Sequence, residues 1–139
     1  MILNEQQLGA ILQASLERAK ELLEQSGGFL PFGARGKRDG EVEFLEASGE
    51  GTARPIDAIY RQIAAMLAED AKRQEILASA LVANASLPAG FDNEFDTAIS
   101  VLVEAPDFCR SIVVPYRAAP EGIVLGKMIP EEADPAVFA

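Results

Sequence analysis

The side chains able to carry chemistry in this chain are carboxylates, arginines, lysines and one thiol. Its 139 residues include no histidine and a single cysteine, Cys109. Without histidine there is no Ser-His-Asp or Cys-His catalysis and no histidine metal ligand. The usual general base near neutral pH is missing as well. Zinc sites built from Cys and His are excluded by the same count. Cys109 is followed by Arg110, whose charge would favour the thiolate and so a reactive thiol. The competing reading is a strand cysteine packed as a small apolar residue. No catalytic set, metal site or cofactor is expected.

Two stretches carry suggestive spacing. Phe91-Asp92-Asn93-Glu94-Phe95-Asp96 places oxygens at alternate positions, as a calcium loop does. Such a loop then requires Gly at its sixth position and Glu at its twelfth; counted from Asp92, these are Thr97 and Val103. An acidic surface loop is the expectation. Gly33-Ala34-Arg35-Gly36-Lys37-Arg38 resembles a phosphate loop only in composition. The earlier glycine position holds Pro31, and Arg38 stands where Ser or Thr should follow the lysine. What remains is the densest positive charge in the chain. Arg35, Lys37 and Arg38 are either an anion- or partner-binding patch or gatekeeping charges on a solvated hairpin. Glu41, Glu43 and Glu46 lie close by, with Glu41 and Glu43 facing away from Val42 and Phe44. An enzyme using carboxylates and arginine would call on Asp96 or Glu104 near Tyr116 and Arg117, in a deep pocket.

The elements that must position these residues follow from periodicity. Asn4 and Gln7 make a capping-box pattern. Leu8, Ile11, Leu12, Leu16, Ala19, Leu22 and Leu23 then recur at helical spacing, and Gly27-Gly28 stops the helix, which spans 5–26. Phe29 to Ala34 is apolar and extended. Asp39-Gly40 is a two-residue turn signal of type I′, and Glu41 to Glu46 alternates as a half-buried strand. Ala47 to Arg54 reads as a loop. A second helix starts at Pro55, with Asp57 in its first turn, and closes on Lys72-Arg73. Its apolar face is Ile56, Ile59, Tyr60, Ile63, Met66 and Leu67. Ile76 to Leu87 is apolar but irregular. Its alanines and leucines would let the helix run on, yet the basic pair before it and Pro88-Ala89-Gly90 after it favour a strand. Thr97 to Glu104 and Cys109 to Tyr116 are strands joined by a turn at Ala105-Pro106-Asp107-Phe108. The residues from about Pro130 look irregular.

The order α-β-β-α-β-β-β makes this an α+β chain. One antiparallel sheet of about five strands, covered by helices on at least one face, is the simplest packing. Profilin-like and roadblock-type domains share that order, and such folds host many functions. A length of 139 residues fits one domain. Hydrophobic residues at 49% and charged residues at 24% are ordinary for a globular core. The net charge of −10 argues against nucleic acid and anionic membrane surfaces as partners and fits solubility or a basic protein partner. No leader sequence or membrane-length apolar run is read, so a bacterial-type cytoplasmic protein is the default.

The stretches Gly28-Phe29-Leu30-Pro31-Phe32-Gly33-Ala34, Asp39-Gly40-Glu41-Val42, Asp96 to Glu104, and Val113-Val114-Pro115-Tyr116-Arg117 together resemble a set of small uncharacterised bacterial proteins. These carry a G-F-x-P-F-G…D-G hairpin and a late E…P-Y strand pair. The pattern commonly has a basic or polar residue after the glutamate, where this chain has Ala105-Pro106-Asp107. The resemblance implies no established activity and transfers no site residue. By elimination, the expectation is a non-enzymatic protein-binding or scaffold module, paired with a protein partner or with itself as a homodimer. An immunity-type inhibitor of a basic toxin and a carboxylate/arginine enzyme are the alternatives.

Overall fold

The structure is a computed structural model and describes residues 5–46, 55–87, 95–106, 108–134 and 136–138. Its elements run α1 (Glu5–Ser26), β1 (Phe32–Lys37), β2 (Val42–Glu46), α2 (Ile56–Lys72), β3 (Ile76–Ser86), β4 (Thr97–Ala105), β5 (Phe108–Ala119), β6 (Gly122–Leu125) and β7 (Ile129–Glu132). The expected order holds through β5. The sheet has seven strands rather than about five, and Ile129–Glu132, expected to be irregular, pairs with β5. The Asn4 cap, the 47–54 loop, Pro88-Ala89-Gly90 and Asp92–Glu94 of the acidic loop lie outside the described residues. No helix among the described residues is long and apolar enough to cross a membrane.

The two helices cover opposite faces of the sheet. Ile11, Leu16, Ala19 and Leu23 of α1 are buried against Phe32, Ala34, Ala78, Ala80, Val82, Ile99, Val101 and Val114. Ser15 shares that buried stripe and satisfies its hydroxyl by donating to the Ile11 carbonyl at 2.7 Å. Ile59, Ile63 and Leu67 of α2 pack on the other face with Ile76, Leu81, Leu45 and Leu102. Ile56 and Met66, read as part of that stripe, are 60% and 40% exposed. α2 is the shorter helix and lies mainly over β1 and β3. The part of its face over β4 and β5 therefore needs another cover.

Strands pair antiparallel in the order β2-β1-β3-β4-β5-β6, with β7 also on β5. Because β1 is antiparallel to both β2 and β3, those two run parallel, and α2 is the crossover between them. β3 carries a bulge. Gly36 faces Ala78 while Lys37 faces Ile76, so Leu77 is the extra residue. The bulge flips the strand's alternation. Ile76 thus points into the α2 core, and Ala78, Ala80 and Val82 point into the α1 core. Pro115, which lacks an N–H, directs its carbonyl outward to Gly126 N–H at 2.7 Å. This is the point where the outer edge passes from β6 to β7, so no ladder bond is lost.

The hairpin turn differs from the two-residue form expected. Of the turn residues only Gly40 has positive φ, at +92°. Gly40 N–H donates to the Lys37 carbonyl at 3.0 Å, and Lys37 N–H donates to the Glu41 carbonyl at 2.9 Å. The loop is therefore three residues, Arg38-Asp39-Gly40, closed by glycine in the left-handed region. The Asp39 carboxylate accepts the Glu41 N–H at 3.0 Å, which keeps Asp39 on the ordinary side of φ. β1 also begins three residues later than expected, after Pro31.

Gly33 sets how closely α2 approaches β1. A Cβ at this position would lie 2.8 Å from Ile63 Cγ2 and 3.0 Å from Leu67 Cδ1. Both contacts are buried side-chain methyls of α2, so these side chains or the helix must shift in a close-packed core. Gly33→Ala is expected to cost about 1–3 kcal/mol through overpacking, read as a lowered urea midpoint at unchanged slope. An unchanged midpoint would show that α2 can shift at no cost.

Candidate functional site

Five polar residues stand in one line across the sheet. Arg35 lies opposite Glu43 on one side and Ser79 on the other; Ser79 lies opposite Glu104, and Glu104 opposite Cys109. Directly paired residues share a face. That face is the α2 face, because Gly33, Leu81 and Leu102, each two positions away on its own strand, contact or cluster with α2. The row thus runs from the exposed β2 edge, beneath α2, to β5.

At the β2 end the row is an ion-pair network. Arg35 Nε donates to Asp70 Oδ2 at 2.7 Å, and Arg35 Nη1 donates to Glu43 Oε1 at 2.7 Å. Burial opposes the Arg35 charge, but hydrogen bonds to Glu43 and Asp70 outweigh it and raise its pKa. The hydrogen bond from Arg35, with Lys37 next, holds the Glu43 carboxyl below its ordinary value. Lys37 Nζ lies 3.7 Å from Glu43 Oε2. Arg38 Nη1 donates to the Gln74 carbonyl at 3.0 Å. Of the expected anion- or partner-binding trio, Arg35 and Lys37 are thus engaged by carboxylates, and Arg38 ties the hairpin to the end of α2. Arg35 and Arg38 staple the β1–β2 hairpin to the helix, and Lys37 pairs within the hairpin.

The other end of the row is buried. Glu104 has no exposed surface. Its Oε1 accepts N–H groups of Ala136 (2.9 Å), Val137 (3.1 Å) and Phe138 (3.3 Å), and its Oε2 accepts Val137 N–H at 3.1 Å. Val137, 5% exposed, completes the α2 core where the helix does not reach. Ser79 Oγ, between the two networks, is buried and has no partner among the described residues. Burial raises the Tyr60 pKa, and the Glu104 and Cys109 charges add to that. Burial likewise raises the Cys109 thiol, reinforced by Glu104 and Asp134; Arg110 pulls the other way, more weakly. Arg110 pairs with Val103 of the α1 core and so lies on the opposite face. Cys109 thus fits the less reactive of the two readings weighed from sequence.

Asp96, Tyr116 and Arg117 lie together at the other end of the β4–β5 pair. Thr97 faces Tyr116, whereas Glu104 faces Cys109. Tyr116 donates its hydroxyl to Asn84 Oδ1 at 2.6 Å and packs in the α1 core. Asp96 and Arg117 are exposed. The structure therefore does not bring Glu104 to Arg117. Among the described residues no group of three His, Cys, Asp or Glu side chains is placed to hold a metal ion.

Sequence reasoning missed two features. One is the docking of Ala136–Phe138 on Glu104. The other is a groove of about 470 Å³ between the end of α1 and the start of β1, lined by Leu22, Ser26, Gly28, Phe29, Leu30, Pro31, Phe32 and Glu46. Phe32 anchors its floor, edge-on to Phe29 at 5.7 Å and to Phe44 at 5.9 Å. Four consecutive apolar residues between Gly28 and Gly33, Phe29 to Phe32, were the available signal, more than a single buried strand face can absorb. Comparison with protein-family models, with curated proteins and with solved structures finds no match to this chain.

Two pH dependences follow. Cys109 should react with a thiol reagent with a midpoint above that of a free cysteine, about 8.5; a midpoint below that value would mean an activated thiolate. Glu43, with its pKa depressed on folding, contributes stability that is present above its unfolded pKa. That stability is lost as pH falls through the folded value. Glu43→Gln should therefore flatten the fall in unfolding free energy between neutral and acid pH, measured by urea titration at several pH values. An acid limb identical to that of the unsubstituted chain would remove the network from the account.

Proposed function

We propose that the protein is a non-enzymatic protein-binding module, and that its binding surface is the groove beside the β2 edge. The observation that carries this reading is the groove's position. It opens next to a five-residue edge strand and is lined mainly by apolar side chains of one short segment. Leu30 and Phe44 beside it are each 36% exposed. A sheet edge offers backbone donors and acceptors to an extended chain, and an adjacent apolar groove takes its alternate side chains. The expected occupant is an extended segment of a basic partner protein.

Charge supports that occupant. The last turn of α1 carries no basic residue, so the negative end of the helix dipole at the groove is uncompensated. Arg18 bridges Glu21 at 2.7 Å and Glu46 at 2.9 Å, one guanidinium against two carboxylates. The chain as a whole carries −10. A cationic side chain at the rim is therefore favoured over an anionic one.

The test is selection of random displayed peptides on the immobilised full chain, followed by NMR mapping. Enriched peptides should combine alternating apolar residues with Lys or Arg and should shift the Leu22, Phe29 and Leu30 resonances. Leu30→Glu should weaken them roughly tenfold or more, as loss of an apolar anchor does. Enriched peptides that map elsewhere, or no enrichment, would overturn the reading. A concentration-dependent dimer in sedimentation, broken by Phe44→Glu, would assign the β2 edge to a second copy of this chain instead.

A further inference from the structure

The α2 face ends over β4 and β5 in a buried carboxylate that meets backbone donors. Glu104 is a fully buried carboxylate, and among the described residues no lysine or arginine pairs with it. Its charge is met by three successive backbone N–H groups from Ala136, Val137 and Phe138. An ion removed from water costs several kcal/mol unless such donors compensate it. Among the described residues, no backbone–backbone hydrogen bond ties 136–138 to the sheet. The segment is thus held through one carboxylate and the side chains of Val137 and Phe138. Beside Glu104 on the same face stand the Ser79 hydroxyl, buried without a partner, and the Cys109 thiol. Tyr60 on α2 and Asp134, just before the segment, are near enough for their charges to couple to Glu104 or Cys109. Every one of these groups is neutral or negative.

We propose that residues 136–138 form a displaceable latch over a cryptic cation site, in which Glu104 is the acceptor and the ligand is a primary ammonium group, the side-chain chemistry of lysine. An ammonium presents three N–H donors on one centre, the number the latch presents to Glu104. The orphan Ser79 hydroxyl supplies a further acceptor along the row. Lifting the latch also uncovers Cys109.

The experiment uses the full chain, with butylammonium as the probe and butyltrimethylammonium, which has no N–H donor, as the control at equal ionic strength. Hydrogen exchange of the Val137 and Phe138 amides and alkylation of Cys109 are followed together. Butylammonium should accelerate both by roughly tenfold, a shift of about 1.4 kcal/mol in latch opening, and the quaternary ion should not. Glu104→Gln should exchange rapidly without any amine and lose the distinction between the two ions. Ala136→Pro deletes one latch donor at an exposed position and should respond at lower butylammonium concentration. Equal effects of the two ions on the unsubstituted chain, no effect of either, or Ala136→Pro behaving as the unsubstituted chain would each overturn the proposal.

Discussion

The structure turns on the contact between α2 and β1 at Gly33, where the absence of a side chain lets Ile63 and Leu67 rest on the strand backbone. Among the described residues, α2 is the only crossover in the sheet. It carries the chain from the β2 edge over β1 to β3, so its depth sets where β3 begins. The Leu77 bulge belongs to the same constraint. It turns Ile76 toward α2 while the rest of β3 keeps its alanines toward α1. Small residues on that side, Ala78 and Ala80, in turn admit the longer helix.

A helix seated so closely on two strands cannot also cover β4 and β5. The chain resolves this with a mixed solution. Leu102 and Val137 extend the apolar layer, and Glu104 holds the segment that carries Val137. A carboxylate is a costly way to fix three residues, because its desolvation must be met by hydrogen bonds of good geometry. It holds backbone rather than side chains, so the sequence of the docked segment is constrained mainly at Val137 and Phe138, which pack in the α2 core. On the other side of α2, the Arg35–Asp70–Glu43 network fixes the hairpin to the helix by charge. The polar row thus anchors both flanks of α2.

The division of labour between the two sheet edges is also physical. β2 is short and carries Glu43 and Glu46, which discourage indiscriminate edge pairing. Its Phe44 and the neighbouring groove nevertheless leave an apolar strip beside the open backbone. At the far edge, β6 and β7 share β5 and leave their break at Pro115, where no donor is lost. β2 is thus one edge of the sheet, and β6 and β7 together make the other.

Much of this fold could be read from residue order. The α1 stripe and its glycine stop, the strand at Ile76, the β4–β5 pair and the absence of histidine chemistry all follow from local periodicity and counting, which act within one element. The irregular look of Ile76–Leu87 has a tertiary cause: β3 is buried on both faces and bulged, so a period of two does not survive in its sequence. β6 and β7 were not legible because they are four residues each and gain their order from β5. The partners of Arg35, 35 residues away on α2, and of Glu104, more than 30 residues away near the chain's end, depend on which strands become neighbours. Sequence alone determined the elements through β5 and the histidine chemistry the chain lacks. Tertiary structure alone decided which charges are buried, paired or left open, because burial and pairing are properties of contacts between elements.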